Sequence, residues 1–229
     1  MDSHVINSRT LDQAQARNKV LRNTYNLLAL SMLPTAAGAW IGMKLHVAGM
    51  FAGSPIMGPL LMLGVMIGLM FAIQRQRNSS LGVALLLGFT FVMGLMLSVT
   101  LERTLRFSNG GTLIAMAAGG TAVIFFAMST LASTIKRDLS GMGNFLFIGT
   151  ILLIVASLAN LFFQLPALHL ALTVVTCALF SAWLMFDLNR VINGGETSYV
   201  SATLAVYLDL YNIFVSLLQI LGIFGGDRD

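Results

Sequence analysis

Two aspartates carry the chemical interest of this chain, because each is set in sequence that otherwise reads as membrane. Asp209 is the only acid in residues 200–224, VSATLAVYLDLYNIFVSLLQILGIF. Asp187 stands 22 positions earlier, at the end of the preceding apolar run. As helix, 25 residues at about 1.5 Å each cross a bilayer core of about 30 Å, and Asp209 then lies roughly 13 Å deep. A carboxylate there costs at least about 2.5–3.5 kcal/mol, so it needs a partner, water or a proton. Two carboxylates within about 4–6 Å in a poorly hydrated place cannot both ionise cheaply, and they titrate as a unit. Proton loss would turn a hydrogen-bonded latch into two repelling anions. That could spring a pore open, or let Asp187 and Asp209 make transient contacts with a cation such as Ca²⁺.

Two readings of Asp187 stand at this point: partner of Asp209, or an interfacial residue facing Arg190 three positions on. If the sixth helix continues to about residue 192, Asp187 and Asp209 are offset along the axis by about 7 Å. Tilt could close that gap, but the spacing does not force it. On a 3.6-residue repeat Asp209, Asn212, Ser216 and Gln219 share one face of the last helix, while Leu208, Ile213, Leu217, Leu218 and Leu221 cover the others. A helix with one polar stripe faces the inside of a bundle, so this is read as the central helix. The plainer role for Asn212, Ser216 and Gln219 is polar glue between helices, worth about 0.6–2 kcal/mol per contact.

The elements that must position these residues are helices. Of 229 residues, 57% are hydrophobic and 10% charged, against about 25% charged in a soluble domain; mean hydropathy is +0.85. Apolar runs fall at about 24–43, 54–73, 81–100, 111–133, 143–163, 166–186 and 200–224. They predict an all-α integral membrane bundle of seven transmembrane helices, one domain over 23–229. The polar segment 1–22 has no apolar core, so it reads as a tail and not a cleaved signal peptide; the first run is then an uncleaved anchor, with Pro34 a kink point. The motif Gly64-Val-Met-Ile-Gly68, with Gly82, Gly88, Gly94, Gly119 and Gly120, offers points of close helix approach.

Basic residues set the predicted orientation. With the N-terminus in the cytoplasm, Arg9, Arg17, Lys19, Arg22, Arg75, Arg77, Lys136, Arg137 and Arg190 lie inside; Lys44, Arg103, Arg106 and Arg228 lie outside. Nine against four favours a cytoplasmic N-terminus and a periplasmic C-terminus. Tyr25 and Tyr199 would then sit at one interface and Trp40 at the other. Asp138, just before the fifth run, reads as a helix N-cap.

Most enzyme classes find no support. An intramembrane aspartyl protease needs GxGD, and here the residues are Val206-Tyr207-Leu208-Asp209. There is no His/Glu metal pair, nucleophile elbow or phosphate-binding glycine loop. Cys177 is the single cysteine, so no disulfide framework exists. Fourteen scattered methionines read as core filler. No basic patch is interleaved with aromatics, which argues against nucleic acid. His169, at the outer start of the sixth run, reads as interfacial, with proton sensing as the sharper alternative; His46 falls in the first outer loop.

Four stretches resemble the Bax inhibitor-1 family, in its bacterial YccA-like branch: VLRNTYNLLAL (20–30), AMAAGGTAVIFFAMS (115–129), QLPALHLAL (164–172) and INGGETSYVSATLAVYLDLYNIFVSLLQILG (192–222). The resemblance runs from about residue 17 to the C-terminus, and its last block is the most specific. It implies a non-enzymatic, multi-pass inner-membrane protein without cofactors, helix seven enclosed by the other six. It implies one partner, an FtsH-type membrane AAA protease whose degradation of membrane substrates such proteins restrain. The protease would engage the cytoplasmic tail, which here carries Arg9, Arg17, Lys19 and Arg22. Other members form pH-sensitive Ca²⁺ leaks gated by aspartates on helices six and seven, and those positions match Asp187 and Asp209. The arginine that helps latch them in helix two has no counterpart within 54–73.

Overall fold

A computed structural model of the chain describes the backbone of residues 3–47, 49, 57–135 and 139–226, and the side chains of 15–47, 49, 61–135, 139 and 141–226. Within these residues the fold is helical throughout. In chain order the helices are α1 (Ser3–Lys44), α2 (Met57–Arg75), α3 (Ser80–Thr104), α4 (Gly110–Thr134), α5 (Ser140–Phe163), α6 (Pro166–Ile192) and α7 (Tyr199–Gly225). Six stretches among the described residues are long and apolar enough to cross a membrane; α2 contributes a shorter apolar one, Leu61–Arg75.

Local chemistry sets the helix ends. The Ser79 hydroxyl accepts from the Gly82 amide to cap α3, and that of Ser198 accepts from Ser201 N to cap α7. Pro166 opens α6 in the first turn, where its missing N–H costs nothing. At the other end of α6, Gly194 has φ +80 and the Gly195 amide donates to the Arg190 carbonyl, which closes the turn toward α7. Gln164 ends α5 in the left-handed region, and the Asn160 side chain accepts from the Leu165 amide beyond it.

Three sequence expectations change. The segment 1–22 is helical from Ser3 on, because α1 is one helix of 42 residues that begins at Ser3 and runs through Pro34. No glycine or proline interrupts residues 3–33, and Gln, Ala, Arg and Leu there all favour helix. The third helix does not stop at Thr100 but carries Glu102 and Arg103 within it. Glu102 thus joins Asp187 and Asp209 as an acid within a spanning helix, and its Oε1 atom is buried without a hydrogen-bond partner.

The glycines are the third change. Gly64, Gly68, Gly88 and Gly119 face open space; Gly82 sits against the backbone of the turn just before α3, and Gly120 meets only the Leu217 side chain. The close helix approach is instead between α1 and α3. A Cβ on Gly94 would strike the Thr35 carbonyl, one on Gly38 the Phe91 carbonyl, and one on Gly42 the Ser98 side chain. The α2 motif is spare because α2 packs through its other faces, which carry Met66, Leu69, Met70 and the fully buried Ile73.

The core forms where α7 meets α1, α2, α3, α4 and α6. Tyr207, Leu204 and Ile213 of α7 are buried with Phe89 and Leu86 of α3 and Leu184 and Leu188 of α6. The Tyr207 ring meets Phe89 edge-on at 6.4 Å between centroids. Its hydroxyl is 2.8 Å from Thr35 Oγ1 and donates to the Thr90 carbonyl at 3.5 Å, tying α7 to α1 and α3. In α5 the large apolar side chains point outward instead: Phe145, Leu152, Val155, Leu161 and Phe162 are all exposed. A helix apolar on its outer face is placed for lipid. Trp40 is likewise exposed, with the Lys44 ammonium 5.9 Å from its ring.

Candidate functional site

Asp209 is 4% exposed, deep between α7 and its neighbours. Asp187, half-buried on α6, brings its carboxyl within side-chain hydrogen-bonding reach of it. The predicted offset therefore closes. Helix α6 runs on to Ile192, residues 193–198 form the turn, and α7 returns packed along α6. Asp209 Oδ2 is buried and has no hydrogen-bond donor. Two facing carboxyl groups satisfy such an atom only if a proton lies between them, since carboxylates are pure acceptors.

The surroundings favour neither full ionisation nor a tight metal site. Arg190 and Glu196 are the charged groups that act on Asp187. Arg190 is spoken for in part by Glu196, at 3.7 Å, and is 47% exposed. Glu196 Oε1 also accepts from the Thr197 and Ser198 amides, both at 2.9 Å, which fixes the turn beneath the pair. Asp187 thus lies within reach of Asp209 and in the field of Arg190. Among the described residues no group of three or more His, Cys, Asp or Glu side chains converges. Two carboxyls fall short of the six to eight oxygens Ca²⁺ prefers, so only passing contacts fit.

Neighbouring polar contacts hold the pair's frame. Asn189 Nδ2 donates to the Ala132 and Ile135 carbonyls at 3.0 and 2.7 Å, stapling the end of α4 to α6. Ser201 Oγ donates to Gln74 Oε1 and Ser198 Oγ to the Arg77 carbonyl, both at 2.9 Å, so the α2–α3 turn is fixed to the start of α7. A cavity of about 810 Å³, lined by Asn144, Trp183, Phe186, Asn189 and Arg190, opens beside the Asp187 end of α6.

The stripe on α7 divides. Asn212 Nδ2 donates to the Leu208 carbonyl at 2.8 Å within its own helix. Ser216 is buried, and Gln219 Oε1 accepts from Thr173 Oγ1 at 3.5 Å. All three line a second, smaller cavity, with His169 at its edge and exposed. Arg17, Lys19 and Arg22 are exposed on α1, and the Arg17 side chain reaches Gly194. The side chain of Arg9, and Lys136, Arg137, Asp138 and Arg228 with it, lie outside the described residues. Cys177 is a half-buried free thiol.

Sequence reasoning missed Glu102 because it ended the third helix at the first polar residues. The available signal was that Leu101-Glu102-Arg103-Thr104 contains no helix breaker before Gly110.

Comparison with known proteins gives the family. The family model described as "Inhibitor of apoptosis-promoting Bax1" matches residues 17–226. The chain is 39% identical to "Modulator of FtsH protease YccA" of Escherichia coli (strain K12), over 97% of this chain and 98% of that protein. The match to "Inner membrane protein YccA" of Escherichia coli O6:H1 has the same extent and identity. It is 38% identical to an "Uncharacterized membrane protein" of Vibrio cholerae serotype O1, over 93% of each. With its six long apolar helices, the chain is a multi-pass inner-membrane protein. It belongs to the Bax inhibitor-1 family and is YccA-like along nearly its whole length.

Proposed function

We propose that this chain is a non-enzymatic inner-membrane protein that binds an FtsH-type membrane protease and restrains it. The observation that carries the proposal is the near full-length similarity to a protein named as a modulator of that protease. The polar end of α1 supports its reading as the handle. About 42 residues of continuous helix extend well beyond a 30 Å core, with Arg17, Lys19 and Arg22 exposed on the polar end. In this reading the N-terminus is cytoplasmic, the C-terminus periplasmic, and α7 is the helix the others enclose. Affinity capture from membranes tests it: FtsH should co-purify with the full-length chain and be lost when residues 1–22 are deleted. Equal recovery from both would remove the N-terminal segment as the handle; no recovery from either would remove the protease as partner.

A second reading rests on the buried carboxyl pair. Asp187 and Asp209, sharing a proton, would hold α6 and α7 together; losing it sets two anions against each other and loosens the bundle toward a cation leak. Asp209→Asn keeps a hydrogen-bonded pair whatever the pH. In proteoliposomes the wild-type chain should pass Ca²⁺ in a pH-dependent way and the variant should not. Unchanged flux with unchanged pH response in the variant would take Asp209 out of the mechanism.

A further inference from the structure

At the end of the bundle that holds the α6–α7 turn, helix α5 starts beside the finish of α6 and, among the described residues, packs on α6 alone. The cleft between them is the cavity of about 810 Å³, walled by Asn144 of α5, by Trp183, Phe186 and Arg190 of α6, and by the turn residues Asn193 and Gly194. Phe147 and Ile148 lie one turn on from Asn144 along the same face of α5, and both are exposed. The cleft therefore runs out sideways onto a surface placed for lipid. At about 30 Å³ per molecule it has room for roughly 27 waters, far more than its polar groups could order. Its chemistry is graded along its depth. Arg190 stands about 10 Å along α6 from Trp183, and the Trp183 and Phe186 rings meet edge-on at 5.5 Å between centroids. Charged and amide groups thus line the outer end, and aromatic carbon lines the inner end.

The hydrogen bonds separate the frame of this cleft from the groups it offers. Asn189 Nδ2 is committed to the Ala132 and Ile135 carbonyls, and Trp183 Nε1 donates to Thr150 Oγ1. Those two side chains hold the walls. Asn144 and Asn193 are exposed, and their side-chain amides make no hydrogen bond among the described residues. Arg190 faces Glu196 at 3.7 Å with one of its nitrogens, which leaves most of its five N–H donors uncommitted. Glu196 does not line the cleft; its Oε1 accepts from the Thr197 and Ser198 amides. The open donors at the mouth are therefore one guanidinium and two amides, a set that suits a phosphate. The wider field has the same sign: Arg17, Lys19, Arg22, Arg75 and Arg77 are exposed at this end of the bundle, and the Arg17 side chain lies against Gly194 at the rim. Basic pockets between membrane helices are the usual seats of anionic lipid headgroups.

We propose that the cleft between α5 and α6 is a binding site for one anionic phospholipid, its phosphate held by Arg190, Asn144 and Asn193 and its chains leaving past Trp183 and Phe186. The site stands whether or not a protease is the partner and whether or not the carboxyl pair gates anything, so its test reads neither. In the full chain carrying Trp40→Phe, Trp183 is the sole tryptophan and sits in the wall of the cleft. The protein is placed in vesicles of phosphatidylcholine mixed with phosphatidylglycerol, with brominated chains on one lipid or the other, and quenching of Trp183 reads which lipid occupies the site. Phosphatidylglycerol should be favoured by about fivefold. Arg190→Gln should bring the ratio close to one, and Asn144→Ala, on the other helix, should lower it about twofold. Arg77→Gln, at the same end but away from the cleft, should leave it unchanged. Equal quenching by the two lipids in the parent protein would overturn the proposal. A loss with Arg77→Gln as large as with Arg190→Gln would replace a built site with diffuse surface charge and overturn it too. Loss of the preference in excess inorganic phosphate, but not in chloride of equal ionic strength, would assign the cleft to a soluble anion and remove the lipid. Variants on two helices keep the test standing if one of them fails to fold.

Discussion

Gly94→Ala and Gly64→Ala make the same chemical change in two helices, and the structure predicts opposite signs. A methyl on Gly94 meets the Thr35 carbonyl far inside van der Waals contact, and the obstacle is backbone that no rotamer can move. Helix α1 would have to retreat by about 1 Å, and gaps of that size forfeit a quarter to a half of the dispersion well at each contact along the crossing. Overpacking of this kind costs about 1–3 kcal/mol. Thr35 also holds Tyr207 at 2.8 Å; weakening that bond adds about 0.6 kcal/mol, the typical worth of an interhelical hydrogen bond in a membrane. Against this stands a gain of up to about 1 kcal/mol from replacing glycine in a helix interior. The net expectation for Gly94→Ala is a loss of about 1–3 kcal/mol. At Gly64 nothing lies within contact distance of the added methyl, so only the gain remains. Reversible unfolding of the purified protein in mixed micelles, read by tryptophan fluorescence and repeated by steric trapping, measures both. The reasoning fails if Gly94→Ala is as stable as wild type, or if Gly64→Ala is destabilised as much as Gly94→Ala.

Further expectations follow from other contacts. Tyr207→Phe removes the hydroxyl that meets Thr35 and Thr90; it should cost about 0.6–1.7 kcal/mol, and a double-mutant cycle with Thr35→Val should show coupling. Asn189→Ala leaves the Ala132 and Ile135 carbonyls without their side-chain donor. A loss of about 1–3 kcal/mol is expected, with faster amide exchange at the end of α4 as the local signature; unchanged exchange there would refute the stapling role. Trp183→Phe removes the bond from Nε1 to Thr150 Oγ1 at 2.9 Å between α5 and α6, and thermal melting should show a drop smaller than that of Asn189→Ala.

What the sequence made legible was whatever hydropathy and turn chemistry encode. Seven apolar runs, and the Asn193-Gly194-Gly195 turn between the last two, follow from composition alone. The polar stripe was legible too, because a 3.6-residue period places Asp209, Asn212, Ser216 and Gln219 together without any knowledge of neighbours. Contacts between distant elements were not. The meeting of Asp187 with Asp209 depends on how α6 and α7 lie against each other, and spacing left about 7 Å open. Gly64 and Gly68 show the same limit from the other side: a motif states which surface is smooth, not whether a partner comes to it. Gly38 and Gly94 carry no motif between them because they sit on different helices. Glu102 was lost for a different reason, since hydropathy windows end where polarity begins and helices need not.

The continuity of α1 has a mechanical consequence. A rod of 42 residues is about 63 Å long, roughly twice the apolar thickness of a bilayer. Its helix is unbroken from the polar end to the glycine crossing with α3, running through Pro34. Tension applied at the N-terminal turns therefore reaches Gly38, Thr35 and Gly94 through continuous helix, where it loads backbone-to-backbone contacts in shear along the helix axis. Shear engages many contacts at once, whereas peeling breaks them one by one. A motor that grips this protein by its first helix thus starts against its best-packed seam.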